Sequence, residues 1–294
     1  MEGNEFLEKY AIEEDTFTKT GLSWDELLAI REDHVKNRQR LDAAAQYVAE
    51  RLNTIGQVHT IKTRIKDPDH LMEKIIRKKL ESPVMVINRT NYSRMICDLV
   101  GVRALHLFKA EWQIVHDFIM HTWDLKKKPV ANICEGDHQE FINRFKEKGC
   151  MIHRHPFGYR SVHYVVEFSP SKIESTMVEI QVRTILEEAW SEIDHIIRYP
   201  YGDGKRALSP YLLFLNRLLG NADEMGSFIK LLNDNVAGNS ERSEEVTEVK
   251  HSPVNYLKSD VETLPVEYRI KELLEERIKS LERHLTSLLS LIHI

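Results

Sequence analysis

Cysteine is scarce in this chain: Cys97, Cys134 and Cys150 are the only three in 294 residues, and none lies in a CxxC spacing. An odd, scattered set argues against a disulfide frame and a zinc site, and fits thiols kept reduced in the cytoplasm. Long apolar runs are missing too. A helix needs about 20 apolar residues in succession to cross a bilayer, so no membrane span is expected. The start, Met1-Glu2-Gly3-Asn4-Glu5, is acidic where a secretory leader is basic and then apolar, and the expected location is cytoplasmic. Positive charge is not in excess either. With 41 Lys and Arg against 46 Asp and Glu, the net charge is −5. General binding to DNA or another polyanion is therefore not expected, and any nucleic-acid contact needs a local basic patch.

What is present is an ordinary globular composition, 42% hydrophobic and 30% charged. The length suits one good-sized core with appendages, or two small domains. The most informative stretch runs from Val178 to Tyr199. Val178, Ile180 and Val182 alternate with Glu179, Gln181 and Arg183, the period-2 pattern of a strand with one buried face. A carboxylate, an amide and a guanidinium then share the other face, as a site or as the wet face of an edge strand. Thr184 and Glu187 form a capping box for a following helix. Its apolar face is expected at Ile185, Ala189, Ile193 and Ile196 or Ile197, with Glu188, Glu192 and His195 on another side.

Upstream, residues 1–22 read as a short helix and a turn, and Ser23 caps a helix carried by apolar spacing to Leu52. Val58 to Ile65 alternates as the first strand. Asp67-Pro68 turns it into a helix, with Pro68 in the first turn, where a missing N–H costs nothing. Arg64 and Lys66 share a face at the strand end, and Lys74 lies about two turns along the helix. Three cations around such a turn suit a polyphosphate, whereas Arg77, Lys78 and Lys79 read as an exposed basic face. Asp98 precedes a strongly β run that carries Arg103. A carboxylate there suits Mg²⁺, which takes one or two protein carboxylates and leaves the rest to water and phosphate, or it simply caps a turn.

A helix is expected from Glu111 to Trp123, then a loop-rich excursion over 124–150. Pro156 and Gly158 enter a strand on which Tyr159, Ser161 and His163 share a face; a tyrosine there can stack on a base. Residues 208–234 read as an apolar helix packed on the sheet, and 237–254, rich in Ser, Glu, Asn and Gly, as a linker. Ile278, Leu281, Leu285, Leu288 and Ile292 form a short heptad run suited to joining subunits.

Taken in order, Arg64-x-Lys66…Lys74, Asp98-Leu-Val-Gly-Val-Arg103, Gly158-Tyr159-Arg-Ser-Val-His163 and Glu179-Ile-Gln181-Val-Arg183-Thr184 resemble the synthetase domain of the RelA/SpoT family over roughly residues 45–200. The length and the segment Trp190…Asp194-His195…Tyr199 look most like its small, stand-alone members. The resemblance implies an α+β fold, a mixed β-sheet flanked by helices as in nucleotidyltransferases, with helical N- and C-terminal extensions. It divides the chain into an N-terminal helical extension (1–55), a synthetase domain (56–235), a linker (236–264) and a C-terminal heptad-like helix (265–294).

The activity implied is transfer of pyrophosphate from ATP to the 3′-hydroxyl of GDP or GTP. Arg64 and Arg103 would flank the adenine, and Lys66 and Lys74 would hold the ATP phosphates. Asp98 would bind Mg²⁺, and Glu179 would position the metal or act as base toward the hydroxyl. Tyr159 would stack on guanine, with His163 and Gln181 near the acceptor. His155 stands where many members have lysine, which leaves a tRNA 3′ end open as acceptor. A nucleotide-binding regulator without catalysis is the third reading. Long members also carry a hydrolase domain with a His-Asp metal motif. The single such pair here, His116-Asp117, lies on an expected helix within the synthetase region, so hydrolysis is not expected.

Overall fold

The computed structural model describes residues 3–137, 139–169, 175–198 and 208–236, with 275, 276, 278–280 and 283. Its elements in chain order are α1 (Gly3–Lys9), α2 (Glu14–Lys19), α3 (Trp24–Lys36), α4 (Arg38–Leu52), β1 (Val58–Ile65), α5 (Pro68–Glu81), α6 (Tyr92–Met95) and β2 (Val100–His106). A 3-10 turn (Lys109–Glu111) then leads to α7 (Trp112–Thr122), β3 (Val130–Ile133), α8 (Gln139–Glu147), β4 (Met151–Arg154), β5 (Ser161–Phe168), β6 (Thr176–Thr184), α9 (Ile185–Arg198) and α10 (Ser209–Val236). The chain forms two compact units. One comprises Met1–His106, Trp112–Arg154 and Arg160–Arg183, the other Leu107–Glu111, His155–Tyr159 and Thr184–Ile294.

The first unit is built on the expected mixed sheet, six strands in the order β1-β2-β6-β5-β3-β4. Pairs β1/β2, β3/β5 and β5/β6 are antiparallel, and β3/β4 is parallel. Alternation decides which face is buried. Val100, Val102 and Ala104 of β2, Val162, Tyr164 and Val166 of β5, and Val178, Ile180 and Val182 of β6 join one core with α4 and α7. The intervening residues Gly101, Arg103, His163, Glu179 and Gln181 therefore belong to the opposite face. Because β6 is third in the sheet order, its polar residues are not the wet face of an edge strand.

A second cluster joins Phe6 and Leu7 of α1, Leu27 and Ile30 of α3, and Leu71, Met72, Ile75 and Ile76 of α5. Pro68 opens α5 as expected, and the Asp67 side chain accepts from the Asp69 and His70 backbone N–H groups. Two expectations in this unit need correction. The helix from Trp24 does not run unbroken to Leu52 but divides at Asn37, whose side chain donates to the Asp33 carbonyl and carboxylate and so competes with the helix ladder. The stretch 124–150 is not loop alone, since it contains β3 and α8. The short strand β4 follows it at the edge of the sheet, where alternation is weakest.

In the second unit, Thr184 and Glu187 make the expected capping box: each backbone N–H donates to the other's side chain. The face that α9 buries is not the expected one. Ala189, Ile193 and Ile196 are exposed, while Trp190 is buried and donates its indole N–H to the Leu212 carbonyl of α10 at 2.9 Å. The longer apolar surface of tryptophan decides which side of the helix is covered. The expected helix over 208–234 is α10, packed on α9 and the 3-10 turn. The linker at 237–254 and most of the heptad run lie outside the described residues, although Ile278 is buried. None of the described helices is long and apolar enough to cross a membrane, and none of the three cysteines is in a disulfide.

Candidate active site

On the sheet face opposite α4 and α7, Arg64, Lys66, Asp98, Gly101, Arg103, Glu179 and Gln181 line a pocket. Local structure places each of them. Arg64 is the penultimate residue of β1 and lies opposite Gly101, and Arg103 lies opposite Lys62. Lys66 follows the last residue of β1, and its backbone N–H donates to the Leu99 carbonyl at 2.9 Å, holding it beside Asp98. Lys74 is carried back toward the strand end by α5, whose Leu71 and Ile75 are seated in the second cluster.

The two lysines meet on one oxygen. Lys66 Nζ donates to Asp98 Oδ2 at 2.9 Å and Lys74 Nζ to the same atom at 2.6 Å. Burial pushes the Asp98 carboxyl up, but the two ammonium groups outweigh it and hold it down at about 2. Lys66 lies below the usual lysine range, chiefly through burial, with Asp98 opposing that shift. Asp98 Oδ1 is buried with no hydrogen-bond partner among the described residues.

The second carboxylate stands on β6. Gln181 Nε2 donates to Glu179 Oε2 at 2.8 Å, and His163 Nδ1 lies 3.5 Å from Glu179 Oε1. His163 is the cross-strand partner of Gln181, so the β5/β6 register brings all three together. Burial raises the Glu179 carboxyl, the His163 contact and Gln181 bond lower it, and the charge of Asp98 raises it again; the net position is below the usual glutamate value. Arg183 Nη2 donates to Gln181 Oε1 at 3.4 Å, extending the row along the strand.

Comparison with known proteins bears on this pocket. Residues 63–204 match the model of the region found in RelA and SpoT proteins. Over these residues the chain is similar to that region. It is similar to GTP pyrophosphokinase YwaC of Bacillus subtilis, 26% identical over 165 residues, 54% of this chain and 68% of that protein. It is also similar to GTP pyrophosphokinase YjbM of the same organism, 27% identical over 141 residues, 47% of this chain and 55% of that protein. Among solved structures, small alarmone synthetase 1 from Bacillus subtilis has a TM-score of 0.48 at 22% identity, covering 67% of this chain and 93% of its own. A GTP pyrophosphokinase family protein from Streptococcus pneumoniae has a TM-score of 0.46 at 20% identity, covering 79% and 93%.

Within the matched residues the pocket gathers Arg64, Lys66, Asp98, Arg103, Glu179 and Gln181, with Lys74 joined through Asp98 and His163 through Glu179. Tyr159 is different. It belongs to the other compact unit and precedes β5 instead of sharing its face, with its ring 5.4 Å from that of His155. Ser161 is buried and donates to the Val182 carbonyl. Gly158 has φ +80°, which turns the chain sharply just before Tyr159 and suits glycine. On α9, Glu188 is buried and His195 exposed, so they do not form one exposed polar face.

Sequence reasoning did not single out Gly101 as a lining residue. Its signal is its place two residues before Arg103 on a strand, which puts both on one face. His116 is buried with Nδ1 3.0 Å from the Tyr164 hydroxyl, and Asp117 pairs with Lys148, so this His-Asp pair is part of the framework.

No cluster of three or more His, Cys, Asp and Glu among the described residues could hold a metal ion. Two carboxylates do line the pocket, and Mg²⁺ in phosphoryl chemistry needs no more than one or two. The buried, unpartnered Oδ1 of Asp98 is the oxygen donor such an ion would use.

Proposed function

We propose that this chain is a GTP/GDP pyrophosphokinase, transferring pyrophosphate from ATP to the 3′-hydroxyl of GDP or GTP. The observation that carries the reading is the two-sided pocket, with cations and Asp98 on one side and Glu179, held by Gln181 and His163, on the other. The names of the two curated relatives support it. In this reading Lys66 and Lys74 hold the ATP phosphates and Arg64 and Arg103 flank the adenine. Glu179 accepts the proton of the attacking hydroxyl, as its ionised form requires. The acceptor oxygen bonds to the β-phosphorus, the bridge to the α-phosphate breaks, and AMP leaves. His163 and Gln181 serve the guanine nucleotide.

Asp98, with Glu179 nearby, would hold Mg²⁺, and that ion when bound supplies neutralisation of phosphate charge. The pocket's own residues still have to orient both nucleotides and exclude bulk water.

A tRNA acceptor is disfavoured by one observation. Lys78 donates to the Met95 carbonyl, Lys79 to the Pro83 and Met85 carbonyls, and Arg77 lies 3.9 Å from Glu73, so each cation of this stretch already has a local partner to exchange before it meets a phosphate. The reading includes a cytoplasmic location, a synthetase domain over 56–235, and homo-oligomer formation through the helix at 265–294, where the heptad pattern supports it.

The test is a product assay with γ-labelled ATP, Mg²⁺, and GDP, GTP or bulk tRNA. Label on the guanosine nucleotide, lost in Glu179→Gln, supports the pyrophosphokinase. Label on tRNA alone overturns it in favour of a tRNA-modifying relative, and label on neither favours a nucleotide-binding regulator.

A further inference from the structure

The helices α1 and α3 precede the matched region, which begins at residue 63. Their side chains nevertheless grip the turn that carries the pocket's lysines. His34 of α3 is 2% exposed, and its Nε2 lies 2.7 Å from the Lys66 carbonyl oxygen. A carbonyl can only accept, so Nε2 carries the hydrogen. The Lys66 N–H is bonded to the Leu99 carbonyl. Lys66 lies one residue beyond β1, so these two bonds hold its backbone from opposite directions, one from α3 and one from the segment that bears Asp98.

The same turn is held again a few residues on. Asp69 accepts from Arg31 Nε of α3 at 2.9 Å and from Lys9 Nζ of α1 at 3.3 Å. The Tyr10 ring meets His70 edge-on, with centroids 5.9 Å apart. Between these contacts Asp67 caps α5, the helix that brings Lys74 onto Asp98. Beneath them α1, α3 and α5 share one apolar cluster, which gives the brace a rigid footing.

We propose that His34 is a positioning residue for the donor-nucleotide side of the pocket, with α1 and α3 bracing the Lys66–His70 turn. The inference rests on the reading that Lys66 and Lys74 hold ATP phosphates. A flexible lysine on an unpinned backbone must be ordered when the nucleotide binds, and that ordering lowers affinity. A lysine on a pinned backbone is already in place. The contribution is therefore to donor affinity, and acceptor affinity is left alone.

The experiment uses the full chain with His34→Leu, which removes the donor but keeps an apolar side chain, and His34→Gln, whose terminal amide restores an N–H at similar reach. A non-hydrolysable ATP analogue with Mg²⁺ is titrated by calorimetry, and KM is measured for ATP and for GTP. His34→Leu is expected to weaken the analogue and raise KM for ATP by about tenfold, with KM for GTP changed by less than about twofold. His34→Gln is expected to recover most of the loss. Wild-type analogue affinity in His34→Leu overturns the proposal, as does a loss in His34→Gln as large as in His34→Leu. Should His34→Leu fail to fold by circular dichroism, Arg31→Gln at the more exposed end of the brace carries the test. Its expected loss is about threefold, and unchanged affinity overturns the proposal. If the wild-type protein binds the analogue but transfers nothing to GDP or GTP, the pyrophosphokinase reading fails while calorimetry still decides the role of His34. If it binds no analogue, the positioning proposal falls.

Discussion

Lys74 and Asp98, separated by 24 positions in the chain, meet at 2.6 Å through Nζ and Oδ2, on the oxygen that also accepts from Lys66. One carboxylate oxygen therefore orients two ammonium groups, while the other is buried with no hydrogen-bond partner among the described residues. Asp98→Asn keeps the shape and removes the charge that balances the ammonium pair. Turnover is expected to fall by at least about 10²-fold, with the circular dichroism spectrum unchanged. A variant with wild-type rate would take Asp98 out of the reaction.

Glu179 has one oxygen against Gln181 and the other facing His163. Glu179→Gln removes the carboxylate proposed to accept the proton but not the pocket's cations. Binding of a non-hydrolysable ATP analogue is expected to stay within about twofold, while the transfer rate drops by about 10²–10⁴. Loss of binding in step with rate would reassign Glu179 to holding nucleotide.

Stability should depend on pH through three histidines. Burial holds His34, His70 and His116 below their ordinary value of 6.5. The unfolded chain therefore binds more protons than the folded one below that value, and stability is lost as pH falls through 6.5 toward the lowered folded values. The urea midpoint at about pH 5.5 is expected below that at about pH 7.5. Equal midpoints would show that these rings take up protons without penalty.

The face buried by α9 gives a contrast in stability. Trp190 is buried and bonded to the Leu212 carbonyl, whereas Ile196 is 71% exposed. Trp190→Ala is expected to cost about 3–5 kcal/mol in chemical denaturation. Ile196→Ser should stay within about 0.5 kcal/mol. A large loss at Ile196 would mean that this side of the helix is covered after all.

Much of this was readable locally. The limits of β1, the Pro68 start of α5, the Thr184–Glu187 box and the alternation through Val178–Val182 depend on neighbours in the chain, and the structure contains them all. Elements set by distant partners were not readable. The short strands β3 and β4 exist because β5 and each other offer backbone partners, and little in four residues of sequence announces that. Asn37 has no mark of a helix break until its side chain is seen on Asp33.

By itself, the amino-acid order determined which residues would share a face and what chemistry they carry: cations at a strand end, a carboxylate before the next strand, a carboxylate and an amide alternating on a third. Backbone geometry repeats every two or 3.6 residues, so such facts need no knowledge of the rest of the chain. Tertiary structure decided the pairings. It set Lys66 and Lys74 on one oxygen of Asp98, His163 beside Glu179, and His34 under the Lys66 carbonyl. Those contacts join segments whose approach is governed by burial of the whole core, which no local period encodes.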